Sequence, residues 1–309
     1  MQKKYTIIPI VVFVLLGLFF LVEGQTMTPT ETTTKKKISN QKLENDTTSL
    51  INEFIDKNKA MEMIVEEGFV GPEFCNARKI IYTNKAGNQL WLKNLINGEV
   101  SLLLTAKDLH NNYDWNSNCD GVIYKQKNEK YETTFYSLDI ESNDTKALQN
   151  IPELTAINSF SVSDVIYFLE EENLQIKGMI GDSVWSVTND ELNYYNLIIS
   201  PNGDKMVAHA GTNTFVIDLK THRKKLLCKG IFTDWHLDNE HLIGFIDESI
   251  DGHSITNSDI LLCNSTTMKT TKITETDGFF EAFPSFIDQN TIGFSDLHKG
   301  GVYKMEIEL

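Results

Sequence analysis

The residues of this 309-residue chain best suited to chemistry are carboxylates, because no local catalytic motif accompanies them. Glu73, Asp114, Asp234 and Glu281 each fall near the start of a predicted innermost strand, where four acids can form a collar around a channel mouth. Such a collar can hold a cation or a basic peptide, or be merely hydrated. Two of its members could instead act as a glycosidase pair, which needs carboxyls about 5 Å apart for retention or about 6.5–9.5 Å for inversion. The chain has no G-x-S-x-G elbow, H-E-x-x-H, G-K-S/T loop or C-x-x-C. Enzyme classes marked by those motifs are therefore removed, while chemistry assembled from distant segments is not.

A second oxygen-rich stretch is Asp247-Glu248-Ser249-Ile250-Asp251-Gly252. Asp247, Ser249 and Asp251 stand at alternate positions before a glycine, as in a Ca²⁺ loop. The remainder departs from that pattern, since Ile255 and Ser258 occupy the ninth and twelfth positions and Asp259 comes one residue late. The alternative is an acidic hairpin loop. Apart from this Ca²⁺ reading no cofactor is expected. His236 and His241 bracket a turn, too far apart for one face of a helix and with no third ligand in view, so they are expected to be ordinary surface or satisfied imidazoles. Trp91, Trp115, Trp185 and Trp235 are expected to pack between repeated units.

The elements that position these residues are short strands. Leu197–Ser200 lead into a Pro201-Asn202-Gly203 turn, Met206–His209 form a second strand, and Phe215, Val216 and Leu219 mark a third. Lys225–Cys228 can add a fourth. A single sheet of this size cannot bury both faces, so it needs copies of itself. Its second strand recurs with Tyr82, Tyr124, Tyr167, Ala208, Phe245 and Phe294 at the equivalent place, separated by 42, 43, 41, 37 and 49 residues. Periods near forty with four strands each mark propeller blades. The third blade, with its Glu170-Glu171-Glu172 turn, fits least well.

Ile199-Ser200-Pro201-Asn202-Gly203, Met206-Val207-Ala208 and Ile217-Asp218-Leu219 resemble the W-S-P-D-G turn, apolar strand and D-L strand end of the TolB family of six-bladed propellers. Trp115-Asn116-Ser117-Asn118 and Trp235-His236-Leu237-Asp238 keep the aromatic, and the likeness covers roughly Met61 to Leu309. It implies an all-β, six-bladed propeller of four-stranded antiparallel blades, and it says far more about fold than about function. The last blade runs out of chain after Val302–Glu308, whereas Met61–Val65 is a strand without a blade. Pairing the two closes the ring and removes both edges.

The chain divides into an export or anchor segment (1–24), a polar tether (25–60) with a short helix at Leu50–Ile55, and the propeller (61–309). Lys3 and Lys4 precede an apolar run to Val22, and cleavage before Gln25 would leave Val22 and Gly24 at the signal-peptidase positions. The segment is either cleaved or retained as an anchor, and in both cases the rest is exported, whether periplasmic, extracellular or held at a membrane facing outward. An oxidising compartment permits disulfides. Cys75 and Cys119 fall near the first-strand turns of adjacent blades and are the favoured pair; Cys228 and Cys263 are less easily brought together. Asn45, Asn143 and Asn264 begin N-x-S/T triplets. A formal charge of −15 disfavours nucleic acid and anionic membrane as partners, leaving contact with a membrane to the N-terminal segment. A monomeric, non-enzymatic scaffold binding a protein or peptide on its loop face is the leading functional expectation. A carbohydrate-active or hydrolytic propeller and a Ca²⁺-stabilised module are the alternatives.

Overall fold

The computed structural model describes residues 61–309 apart from positions 111, 129, 163, 250–254 and 277. The expected export or anchor segment, the expected tether with its Leu50–Ile55 helix, and Asp251 lie outside the described residues. Six antiparallel sheets follow one another along the chain. Blade one holds β2 (Phe69–Cys75), β3 (Lys79–Asn84), β4 (Gln89–Asn94) and β5 (Val100–Thr105). Blade two holds β6 (Tyr113–Trp115), β7 (Gly121–Lys127), β8 (Thr133–Asp139) and β9 (Thr145–Leu148). In blade three are β10 (Ile166–Leu169), β11 (Ile176–Ile180) and β12 (Ser183–Ser186). Blade four has β13 (Tyr194–Ile199), β14 (Lys205–Ala210), β15 (Asn213–Asp218) and β16 (Lys224–Lys229). Blade five has β17 (Ile231–Trp235), β18 (His241–Ser249), β19 (Ile255–Asn264) and β20 (Lys269–Lys272). Blade six is built from β21 (Glu281–Phe286), β22 (Thr291–Asp296) and β23 (Val302–Glu306), with β1 (Met61–Val65) as its outermost strand.

Ring closure is the pairing of β1 with β23, in register Met61↔Met305 and Met63↔Tyr303. Val65 and Val302 then join Ile80 and Tyr82 in a cluster between blades six and one. Blade three departs from the four-stranded expectation. Its innermost strand is reduced to a Thr155↔Phe168 bridge, flanked by hydrogen bonds from Ala156 N to Tyr167 O and from Leu169 N to Leu154 O. After it the chain turns into a single helical turn, α1 (Ser159–Val162). Asn158 replaces lost pairing by donating to Ile199 O at 3.1 Å and accepting from Ile199 N at 3.4 Å on β13.

Burial explains the strand sequences. Second strands lie in mid-blade and are covered by the neighbouring blade on each side, so β14 is buried from Met206 to Ala210 and reads as an almost unbroken apolar run. Outer strands such as β9 have little to cover and are polar. Between blades one and two, Cys75, Ile81, Trp115 and Val122 share one cluster; between blades four and five, Val207, Phe232, Trp235 and Cys263 share another. Close approach is enforced at Gly293, where an added Cβ would stand 2.3 Å from the Phe74 ring of blade one. Gly203, at φ +74°, makes the predicted Pro-Asn-Gly turn of blade four.

A candidate acidic channel site

The inner strands present their residues to the central channel in a common register. Phe74, Trp115, Ile199, Trp235 and Phe286 face Ile80, Val122, Met206, Leu242 and Ile292 on the second strands. The residue before each is therefore the structural equivalent from blade to blade: Glu73, Asp114, Ile198, Asp234 and Ser285. All five line one cavity of about 430 Å³, with Asn158 of blade three and Asn196 of blade four. Three carboxylates from blades one, two and five are thus brought to one axis by equivalent positions.

The strands hold these acids firmly. Asp114 Oδ1 accepts the Trp115 N–H at 2.7 Å, and the Trp115 indole donates to Glu73 O at 2.9 Å, tying blade two to blade one. Blade five repeats the device: Asp234 Oδ1 accepts from Trp235 N at 2.7 Å, and the Trp235 indole donates to Ile198 O at 3.0 Å. Asp234 Oδ2 also accepts from Ser285 Oγ at 2.9 Å and Phe286 N at 2.8 Å, binding blade five to blade six. A disulfide joins Cys75 to Cys119, with Cα atoms 5.9 Å apart, directly beyond Glu73 and Asp114.

Burial raises the proton affinity of every acid in the cluster. Burial, reinforced by repulsion from Asp114 and Asp234, holds the Glu73 carboxyl well above its ordinary range. Burial likewise carries Asp114 to about 7, against the Trp115 hydrogen bond and with repulsion from Asp234. Asp234 reaches about 6, again through burial, which its hydrogen bonds from Phe286, Ser285 and Trp235 and the nearby His236 only partly offset. Lys125 lines the same cavity, but the charges it senses are Lys127 and Glu153. Burial and mutual repulsion thus raise the proton affinity of all three acids, an environment in which an incoming positive charge would favour their ionised forms.

Glu281 stands apart. It is the first residue of β21, four before its blade's equivalent position at Ser285, and does not line the cavity. Fully buried, it interacts with Thr276 and Asp259, and burial raises its carboxyl to about 7. The strand direction separates it further. Glu73, Asp114 and Asp234 lie toward the ends of the inner strands, near the turns into the second strands, whereas Glu281 lies by the β18–β19 hairpin, where Ser258 Oγ donates to its carbonyl. The collar thus has three acids, not four. Asp247 and Ser249 belong to paired strand β18, opposite Ser258 and Ile255, rather than to a loop.

Other sequence expectations are also revised. Cys228 and Cys263 lie within hydrogen-bonding reach of each other across blades four and five, where Thr270 Oγ1 donates to Cys263 Sγ at 3.2 Å. His236 and His241 share a third neighbour after all, the Asp238 carboxylate. His209 is a buried staple: its Nε2 accepts from Phe232 N at 2.9 Å and its Nδ1 faces Asn196 O at 3.4 Å. The cysteine pair and the His209 contacts depend on the blade-to-blade register, and the His236–Asp238–His241 group on the turn between β17 and β18. Asn158, Asn196 and Ser285 were missed because polar uncharged residues carry no signal of their own.

Structural comparison places this fold among known propellers. A crystal structure of TolB from Acinetobacter baumannii aligns with a TM-score of 0.58 over 72% of this chain, at 12% identity. The fold is that of a TolB-like six-bladed propeller. That alignment spans 58% of the Acinetobacter chain, so the present chain covers little more than half of that protein. A putative TolB from Agrobacterium tumefaciens gives 0.52 at 12% identity, covering 79% of this chain and 91% of its own. An oligogalacturonate lyase in complex with manganese gives 0.52 at 13%, covering 78% and 77% respectively. No family model matches the sequence, and no curated protein matches it either. At these identities the TolB-like likeness is one of fold. Among the described residues, no helix is long and apolar enough to cross a membrane.

Proposed function

We propose that this chain is an exported, non-enzymatic propeller scaffold whose channel receives a cationic group from a protein or peptide partner. The observation that carries the reading is the convergence of Glu73, Asp114 and Asp234, from three blades, on one cavity with no lysine or arginine among the charges that shift them. An entering ammonium or guanidinium would draw these carboxyls into their ionised form and replace their mutual repulsion with attraction. Asn158, Asn196 and Ser285 supply neutral polar groups around the same cavity. The acidic balance of the chain, −15 overall, would steer a basic segment toward it. The TolB-like fold supports a scaffold role, and the apolar run after Lys3 and Lys4 supports export.

The test is fluorescence anisotropy with a labelled arginine-rich nonapeptide and an acidic peptide of equal length. Saturable binding of the basic peptide, lost when Asp114 and Asp234 are both changed to Asn, is expected. Equal binding of both peptides, or basic-peptide binding indifferent to the double change, would contradict the reading.

One observation favours a hydrolytic alternative: carboxyls that hold protons near pH 6–7 have the affinity a general acid needs. In that case Asp114→Asn would abolish turnover of an oligosaccharide while leaving its binding intact.

A further inference from the structure

The turn from β17 to β18 carries a second constellation, beginning two residues after the channel acid Asp234 and offering imidazole nitrogens rather than carboxylates alone. It runs His236-Leu237-Asp238-Asn239-Glu240-His241, closed by His236 N to His241 O at 2.9 Å and Asn239 N to His236 O at 3.0 Å, with Asn239 at φ +61°. Asp238 Oδ1 is occupied in the ordinary way for such a turn, accepting from Glu240 N at 2.8 Å and His241 N at 2.9 Å. This leaves Oδ2 fixed in direction. Both imidazoles address it, His236 Nδ1 from 3.0 Å and His241 Nδ1 from 2.6 Å, and the three donor atoms lie within 4.8 Å of one another.

The geometry points to a divalent transition-metal site, with Zn²⁺ the best match, formed by His236 Nδ1, Asp238 Oδ2 and His241 Nδ1. Two imidazoles and a carboxylate form a nitrogen-rich set that suits Zn²⁺ and neighbouring metals rather than Ca²⁺ or Mg²⁺. Around a tetrahedral ion with bonds of about 2.0–2.1 Å, neighbouring donors stand about 3.3–3.5 Å apart, so each nitrogen needs to draw back from Oδ2 by less than about an ångström, while the two nitrogens already lie within 4.8 Å of each other. Leu237 and Asp238 are exposed, so solvent reaches the turn.

A second observation concerns protons. Asp238 N lies 3.2 Å from His236 Nδ1 and donates to it, so a metal taking Nδ1 displaces this one backbone hydrogen bond. His236 is 6% exposed and its Nε2 has no partner. The 3.0 Å contact of His236 Nδ1 with Asp238 Oδ2 is one that either a proton or a metal ion on the imidazole can bridge.

The surrounding side chains say how the site would be tuned. Asn264 Oδ1 is fixed by Thr266 N at 2.9 Å and Thr267 N at 2.8 Å, so its amide nitrogen must face His241 Nε2, 3.2 Å away. That contact keeps the His241 proton on Nδ1 in the metal-free protein. When a metal takes Nδ1, the proton moves to Nε2 and meets a donor instead of an acceptor. Asn264 therefore weakens the site, and a carboxylate in its place would strengthen it by orienting the ligated ring, as metal-bound histidines usually are.

Isothermal titration of the full chain with ZnCl2 tests the assignment. Uptake of one equivalent is expected, weakened at least tenfold by His241→Ala and tightened about tenfold or more by Asn264→Asp, whose Oδ1 can still accept from Thr266 and Thr267. The Asn264→Asp arm is a gain of affinity, so it cannot be mimicked by misfolding. Absence of saturable uptake, uptake indifferent to His241→Ala, or no tightening in Asn264→Asp would overturn the site.

Discussion

Replacing Asp114 by Asn should make the propeller more stable, and increasingly so as pH rises. Asp114 titrates near 7 in the fold against an ordinary 3.8, chiefly through burial. A carboxyl raised in this way stabilises the folded state fully below pH 3.8, and that contribution is lost as pH rises through 7. At pH 8 the loss approaches about 4 kcal/mol, taking about 1.36 kcal/mol for each tenfold change in proton affinity. Asparagine has the shape of the protonated acid, carries no charge to desolvate, and its Oδ1 can keep the 2.7 Å bond from Trp115 N. For a domain of roughly 250 residues each kcal/mol moves Tm by about 2–4 °C, so the variant should melt on the order of 10 °C higher at pH 8. At pH 4 the two proteins should nearly coincide. Calorimetric melts from pH 4 to 8 read this directly. A Tm difference that does not grow with pH, or an Asp114→Asn variant less stable than the parent at pH 8, would refute the claim that Asp114 is a repelled, desolvated acid.

Three further outcomes follow from the same contacts. His209 should stay neutral with its proton on Nδ1 until about pH 4, because burial disfavours its charged form; nitrogen NMR showing titration near 6.5 would contradict that. Cys228, half-buried and lowered by its bond with Cys263, should be alkylated well before the buried Cys263, whose thiol that bond and burial push up; mass spectrometry after limited iodoacetamide treatment would expose equal labelling as the wrong result. Trp235→Phe removes the indole bond to Ile198 O and should cost about 1–3 kcal/mol in urea unfolding, with a neutral effect arguing against that inter-blade tie.

The blades were legible because second strands are covered on both faces and must be apolar, so Tyr82, Tyr124, Ala208 and Phe294 keep time along the chain. Ring closure was legible too, since an unpaired early strand and an incomplete last blade each need the other. Register was not. Inner strands carry bulges, between Val70 and Glu73, Phe232 and Asp234, and Ala282 and Ser285, and a bulge shifts every later residue against its partner. In β21 the bulge includes Phe283 at φ +52°, which is why Glu281 looked equivalent to the channel acids and Ser285 is. His236 and His241 were judged by helical spacing, whereas a β-turn folds them onto Asp238. The Thr155 remnant in blade three has too few residues to read as a strand.

Burial and mutual repulsion make Glu73, Asp114 and Asp234 hold protons more tightly than free carboxyls do, so binding a cationic group among them must expel protons. Calorimetry of the arginine-rich peptide at pH 6.5, in two buffers of different ionisation enthalpy, measures that number. A net release of about one proton or more is expected, absent when Glu73, Asp114 and Asp234 are replaced by Gln, Asn and Asn. Binding with no proton release, or with the same release in the triple variant, would contradict it.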